Sequence, residues 1–325
     1  GNAYAGYKSG SAIAASSSNI SIITDKLTLA GTDRIQSSGA LTVKPYSATT
    51  IGIAGGAGTL SLPASYFADN FTNGFSGITI GSASAGDITV GSTAMTYSDP
   101  LTLKTAGNIV VGNNASMTGT AGQTAHLTLW ADADNNNDGY ISTASTSAIT
   151  SNGGNITLGG GTDPATDYAV GNATQTSGVN LLGSLNAGGG NISVRGQGLS
   201  SGGTGIFKNT ATTIQTAGTG TIDLYGTGYV SGLGIYHSSG TITASNGNIT
   251  LDGTANNNAG AGQCWGIDFL SNSSATTANG NISLIGRSTD ATKYGTSTYL
   301  STLSTTGTGS VTQQSVTGKT WVGTL

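Results

Sequence analysis

Apolar residues in this chain recur in pairs one residue apart, and the residue between them is usually Thr or Ser. The pattern is plainest in Ile156-Thr157-Leu158, Ile192-Ser193-Val194, Ile249-Thr250-Leu251 and Ile282-Ser283-Leu284, each preceded by Gly-Asn. Alternation at period 2 predicts strands with one buried face. In the C-terminal half this phrase opens at Gly190, Gly220, Gly247, Gly280 and Gly309, in steps of 30, 27, 33 and 29 residues. A second phrase opens at Gly178, Gly205, Gly234, Gly266 and Gly295, leading the first by 12 to 15 residues each time. Two phrases that keep phase through five cycles predict stacked coils of a solenoid. The N-terminal half carries the same strand type more tightly, at Leu27, Leu41, Leu60, Ile78, Ile88, Leu101, Ile109 and Leu127. There a coil of ~20 residues is expected to hold two strands.

Stacking fixes what each position does. Ile192, Ile222, Ile249, Ile282 and Val311 form an inner column, and Ser193, Asp223, Thr250, Ser283 and Thr312 an outer one. Asn191, Asn248 and Asn281 line up, so that stacked amides can hydrogen-bond along the column. The leading Gly turns a corner where a side chain would clash or where φ must be positive. Some 11–14 coils at ~4.8 Å each predict a rod of ~50–65 Å.

Composition removes the competing classes. Only 7% of residues are charged, all fourteen acidic residues are Asp, and Gly numbers 54. Helices have little to build from, and the regular apolar pairs argue against a disordered chain. The net charge is −4, and the ten Lys and Arg are scattered singly. Such a chain offers no basic stripe for phosphates, which excludes nucleic acid as a partner. No apolar run approaches ~18 residues, so no membrane span is expected. The opening "GNAYAGYKSG" has no initiator Met and no signal-peptide core, as in a processed product or a section of a longer chain. Cys264 is the single cysteine, which excludes an internal disulfide framework. The expected organisation is a flexible or partner-docking segment (1–20), a β-helix with short coils (21–130), an Asp/Asn-rich loop insertion (131–150) and a β-helix with ~30-residue coils (151–325).

The phrases "LTLKTAGNIVVGN" (101–113), "FTNGFSGITIG" (71–81), "GNITLDGT" (247–254) and "GNISLIG" (280–286) resemble the repeats of filamentous haemagglutinin-like exoproteins. Those are large adhesins exported by two-partner secretion systems of Gram-negative bacteria. The resemblance covers most of the chain from about Asp25. It implies an all-β, single-stranded right-handed parallel β-helix, an extracellular or cell-surface location, and adhesive or fibrous roles. The "NPNG"-like secretion signature of that family is absent from this sequence.

Four places carry candidate chemistry. Counted from Asp134, "DADNNNDGY" reads as the first part of a calcium loop, with Asp134, Asn136, Asp138 and the Tyr140 carbonyl as oxygen donors. Asp132 would supply a further oxygen, because Ser145 stands where a bidentate Glu belongs. The other reading of this stretch is a polar loop of Asx turns. In "HLTLW", Leu127 and Leu129 face inward, which turns His126 and Trp130 outward as candidate binding groups. An outward Trp either stacks on a sugar or partner or lies under a neighbouring loop. Cys264 reads as a shielded thiol, with Trp265, Ile267 and Phe269 sharing the inner face. The nine N-x-S/T sequons are by-products of the repeat in four cases, Asn155, Asn191, Asn248 and Asn281.

Catalysis on such a scaffold needs clustered carboxylates and basic groups. The chain has no Glu and, as imidazoles, only His126 and His237. The expectation is a non-enzymatic structural or adhesive element without a cofactor, apart from calcium at 132–140. Its partners would be further copies, head to tail, or neighbouring coils of a longer chain. A carbohydrate- or surface-binding module is the alternative.

Overall fold

The computed structural model describes residues 12–123, 125–200, 202–256, 264–290, 292–299, 301–317 and 319–322. The chain is a parallel β-helix with three faces. Its first sheet has eleven successive rungs, from Ile20–Ile23 to Val311–Thr317, and the short strand Ala169–Val170 joins it as a twelfth. The second sheet has eleven strands and the third eight, and all pairings between named strands are parallel. One coil illustrates the path: Leu101–Lys104, Ile109–Val111 and Ser116–Gly119 lie on the three faces, and Leu127–Trp130 then stacks on the first.

The inner columns follow the period-2 reading. Leu41, Ile78, Leu101, Leu127, Ile156, Ile192, Ile222, Ile249 and Ile282 stack in register, and none is more than 4% exposed. Two residues further on, Val43, Ile80, Leu103, Leu129, Leu158, Val194, Leu224, Leu251 and Leu284 do the same. Each such side chain contributes about 1.5–3 kcal/mol of burial before entropy is subtracted. The second phrase of the repeat forms the second face, through Val179, Ile206, Ile235 and Ile267.

Several expectations need correction. Coils of the N-terminal half hold three strands, because a third face accompanies the two that the pattern reveals. That face carries one apolar column, Met95, Met117, Ile149, Leu185, Ile214, Ile242, Ala275 and Leu303, set among small polar residues. Residues 131–150 are not one loop: Ile141–Thr143 and Ala148–Thr150 are ordinary rungs, because Ile141 and Ile149 fill inner columns. The 1–20 segment is in the fold from Ala12, where Ala12–Ala14 pairs with Arg34–Gln36; residues before it lie outside the described ones. Leu27–Leu29 is not a rung. It crosses the end of the helix, where the Leu29 N–H donates to the Tyr66 hydroxyl at 2.8 Å.

Glycine and asparagine open the phrase for separate reasons. A β-carbon at Gly247 would sit 1.8 Å from the Gly220 carbonyl oxygen of the rung before, and one at Gly280 would sit 1.9 Å from that of Gly247. Close approach, not positive φ, excludes side chains here. Each Asn then reaches one rung onward. The Asn155 Oδ1 accepts the Asn191 N–H at 2.9 Å, Asn191 accepts Thr221 N–H at 2.9 Å, Asn248 accepts Asn281 N–H at 2.8 Å, and Asn281 accepts Ser310 N–H at 3.0 Å. The ladder therefore runs from side-chain oxygen to corner amide, satisfying donors that the turn would leave open.

A second close approach lies inside. Gly196, Gly226, Gly253 and Gly286 occupy a third inward column of the first face. β-Carbons there would lie 2.2, 2.1, 2.0 and 1.9 Å from the carbonyls of Gly205, Gly234, Gly266 and Gly295, the glycines that open the second phrase. At this pinch two backbones touch with no side chain between them.

The ends differ. Between Ile51–Ile53 and Gly77–Gly81 the chain inserts Leu60–Leu62, which pairs below Ile51–Ile53 and terminates the second sheet. A π-helical turn, Tyr66–Asn70, follows against the first strand of the third sheet. Tyr66, Phe67, Phe71 and Phe75 with Ile35 make a buried plug there, with Phe71 edge-on to Tyr66 and Phe67. Toward the other end the interior turns polar. Gln313 follows Leu284 in its column, donates to Thr296 at 3.0 Å and accepts from Thr298 at 3.2 Å.

Candidate functional site

The outward side of the first face carries a regular column of hydroxyls. Ser21, Thr42, Thr79, Thr102, Thr128, Thr157 and Ser193 stand in one column, one hydroxyl per rung, before Asp223 interrupts it. Beside it runs a flanking column containing Gly81, Lys104, Trp130 and Gly159. Register places the Lys104 ammonium 3.4 Å from the centroid of the Trp130 ring. This cation–π contact is worth about 0.5–2 kcal/mol. Burial holds the Lys104 amine below its ordinary value.

A loop overhangs this column after Gly159. The Trp130 indole donates its Nε1–H to the Gly161 carbonyl at 2.7 Å. Asp167 organises the loop: its Oδ2 accepts the Thr162 hydroxyl at 2.7 Å, the Thr162 N–H at 2.9 Å and the Asp163 N–H at 3.0 Å. Those bonds, the Thr162 hydroxyl first, hold its carboxyl below the usual range. Loop, Trp130 and the threonine column enclose an open groove of about 550 Å³. Trp130 is thus half-buried under the loop and still lines the groove.

His126 belongs to the corner ladder instead. Its Nδ1 accepts the Asn155 N–H at 2.8 Å, the bond that Asn makes at other rungs. The imidazole substitutes for an amide oxygen. His126→Asn is therefore expected to leave stability within about 0.5 kcal/mol, while His126→Ala costs about 1 kcal/mol by losing the bond. Urea unfolding of the two variants checks this.

The Asp/Asn loop occupies a different face. Asp132 is buried, with φ of 48°, and its Oδ1 accepts the Asn137 and Asp138 N–H groups at 3.0 and 3.3 Å. Desolvation, aided by the neighbouring Asp134, pushes its carboxyl up to about 6. Asp134, Asn136 and Asp138 line an open cleft with Asp87, Asn108 and Asn172. Asn136 donates to Asp134 at 2.9 Å, and Asn172 donates to Asp138 at 2.9 Å. Asn108 gathers the Tyr140 N–H at 3.1 Å and the Asn172 amide at 3.1 Å, and itself donates to Asp87 at 2.8 and 3.0 Å. Of the five sequence-derived calcium ligands, Asp132 serves the loop's own amides, whereas Asp134, Asn136 and Asp138 line the cleft together, their carboxylates accepting from amide donors. Among the described residues no three Asp, His or Cys side chains come together to hold a metal ion.

Further titratable groups are enclosed, His237, Lys208, Asp268 and Cys264 among them. His237 lies in the inner column between Lys208 and Phe269, its ring centroid 4.6 Å from that of Phe269 and its Nδ1 3.0 Å from the Ser273 hydroxyl. Burial, with the Lys208 charge, lowers it to about 3. The Lys208 ammonium donates to the Thr210 carbonyl at 2.8 Å and the Thr212 hydroxyl at 2.9 Å, and burial lowers it to about 8. Burial raises the Asp268 carboxyl to about 7. Cys264 is fully buried and its thiol is raised by burial, while Trp265 stands half-buried, edge-on to Tyr294 at 6.0 Å, and not in the core.

Sequence reasoning missed Lys104. The signal for Lys104 was present: "LTLK" and "LTLW" place it and Trp130 at the same position of successive rungs. Comparison with family models, with curated proteins and with solved structures returns no match.

Proposed function

We propose that the chain is a non-enzymatic, extracellular structural and adhesive β-helix, joined end to end with copies of itself or with neighbouring coils of a longer fibre. The observation that carries this reading is where apolar surface is left open. Among the described residues, the exposed large aliphatic side chains are Ile23, Val311 and Val316, at 47%, 43% and 48%. All three lie on the first and last rungs of the first sheet. Val311 occupies the inner column and would be covered by one more rung. Unpaired edges with open apolar residues are the surfaces that strand addition uses. Leu60–Leu62 ends the second sheet and the Tyr66–Asn70 turn packs on the first strand of the third, so a joint at that end would run through the first sheet. Both imidazoles have structural partners, which favours a role without catalysis.

Eleven rungs at ~4.8 Å make one unit about 50 Å long. Negative-stain images are expected to show rods that are multiples of this length and that shorten with Val311→Asp. Uniform single rods at high protein concentration would refute the joint.

The groove on the first face favours a second, compatible reading: a carbohydrate-binding surface carried on the rod. It combines a hydroxyl ladder with one wall of indole and amine, the mixture that sugar rings and hydroxyls require.

A further inference from the structure

The geometry points to an acidic polysaccharide, lying along the rod axis in the groove of the first face, as the ligand of this protein. The inference rests on the carbohydrate reading above and adds the site, the direction and the charge class. Thr79, Thr102, Thr128 and Thr157 line the floor, one per rung. Three rung steps of ~4.8 Å span ~14 Å, which accommodates an extended chain of a few sugar units. The backbone of these rungs is committed to the sheet, so the hydroxyls are the groups free to exchange bonds with a sugar. Trp130 forms one wall and offers an apolar ring surface to sugar C–H groups.

Charge selects among sugars. Lys104 lines the same groove and makes no ion pair among the described residues. Lys44 and Arg195 follow the second inward residue of their own rungs, as Lys104 does, and so flank the same threonine column. The outward hydroxyl column carries no carboxylate from Ser21 to Ser193; its first is Asp223. Asp163, on the overhang, is the carboxylate that lines the groove, and its Oδ1 is engaged by the Ala165 N–H at 3.0 Å. Lys104 lines the groove, Lys44 lies on the rung before Thr79, and Arg195, on the rung after Thr157, is stacked on Tyr225 at 3.8 Å from its ring centroid; cations along this flank suit a chain with a carboxylate on its sugar units. Their wide spacing suits the sparse charge of a polyuronate better than the one-per-nucleotide charge of a nucleic acid.

Calorimetric titration of the intact chain with hexagalacturonate, and with cellohexaose as the neutral counterpart, tests this. Hexagalacturonate is expected to bind at least tenfold tighter than cellohexaose, and less tightly as salt rises. Lys104→Met and Thr128→Val, both outward substitutions, are each expected to weaken it about tenfold, with thermal unfolding unchanged for Thr128→Val and slightly lowered for Lys104→Met, which gives up its contact with Trp130. Absence of hexagalacturonate binding, equal affinity for the neutral chain, or affinity untouched by both variants would overturn the inference. Rod formation in the same preparations reads the structural proposal separately, so either can fail without the other.

Discussion

Gly253→Val is expected to destabilise the chain by more than about 4 kcal/mol, beyond the range of ordinary overpacking. The β-carbon alone would lie 2.0 Å from the Gly266 carbonyl oxygen. Neither backbone can retreat, because Gly253 is paired with Gly226 on one side and Gly286 on the other. Moving any one rung would break the register of its neighbours. A glycine elsewhere gives the control: a β-carbon at Gly31 meets nothing within 4 Å. Gly31→Ala is expected to change stability by less than about 0.5 kcal/mol. Thermal unfolding followed by circular dichroism separates the two; equal effects would show that the pinch is not as tight as described.

Ile249→Asn and Thr250→Asn should differ as strongly, although they are adjacent. Ile249 is fully buried between Ile222 and Ile282. Its replacement loses the apolar contacts, leaves a partial cavity and buries an amide with no partner, together about 4–6 kcal/mol. Thr250 points outward between Asp223 and Ser283. The same substitution there is expected to cost about 1 kcal/mol or less. Denaturant midpoints of the two variants measure the contrast directly, and similar midpoints would contradict the assignment of faces.

That contrast explains how far the sequence could be read. The first face was legible because most of its rungs place two large aliphatic residues on either side of a polar one, as in Ile249-Thr250-Leu251, and the second because a Gly followed by Val or Ile opens its rungs at Gly178, Gly205, Gly234 and Gly266. The third face was not, because one residue per rung, such as Ile214 in Thr213–Thr216, gives no period to detect. Leu27–Leu29 looked like a rung because alternation marks extended chain, and extended chain also crosses an end. The Asp/Asn loop was open to two readings for a related reason. Alternating acidic residues suggest cation ligands, yet Asp132 is drawn inside by the positive-φ turn it begins and bonds to its own loop. Lys104 and Trp130 were separated by 26 residues in sequence and united by register alone.

The two extremities of the rod are built from different materials, and that gives it a direction. Four aromatic rings are locked into the end near Tyr66, whereas the coil around Gln313 is held by hydroxyl and amide contacts that water can replace one by one. Unravelling under load would therefore start at Gln313 and travel toward the aromatic end, whichever side the pull comes from.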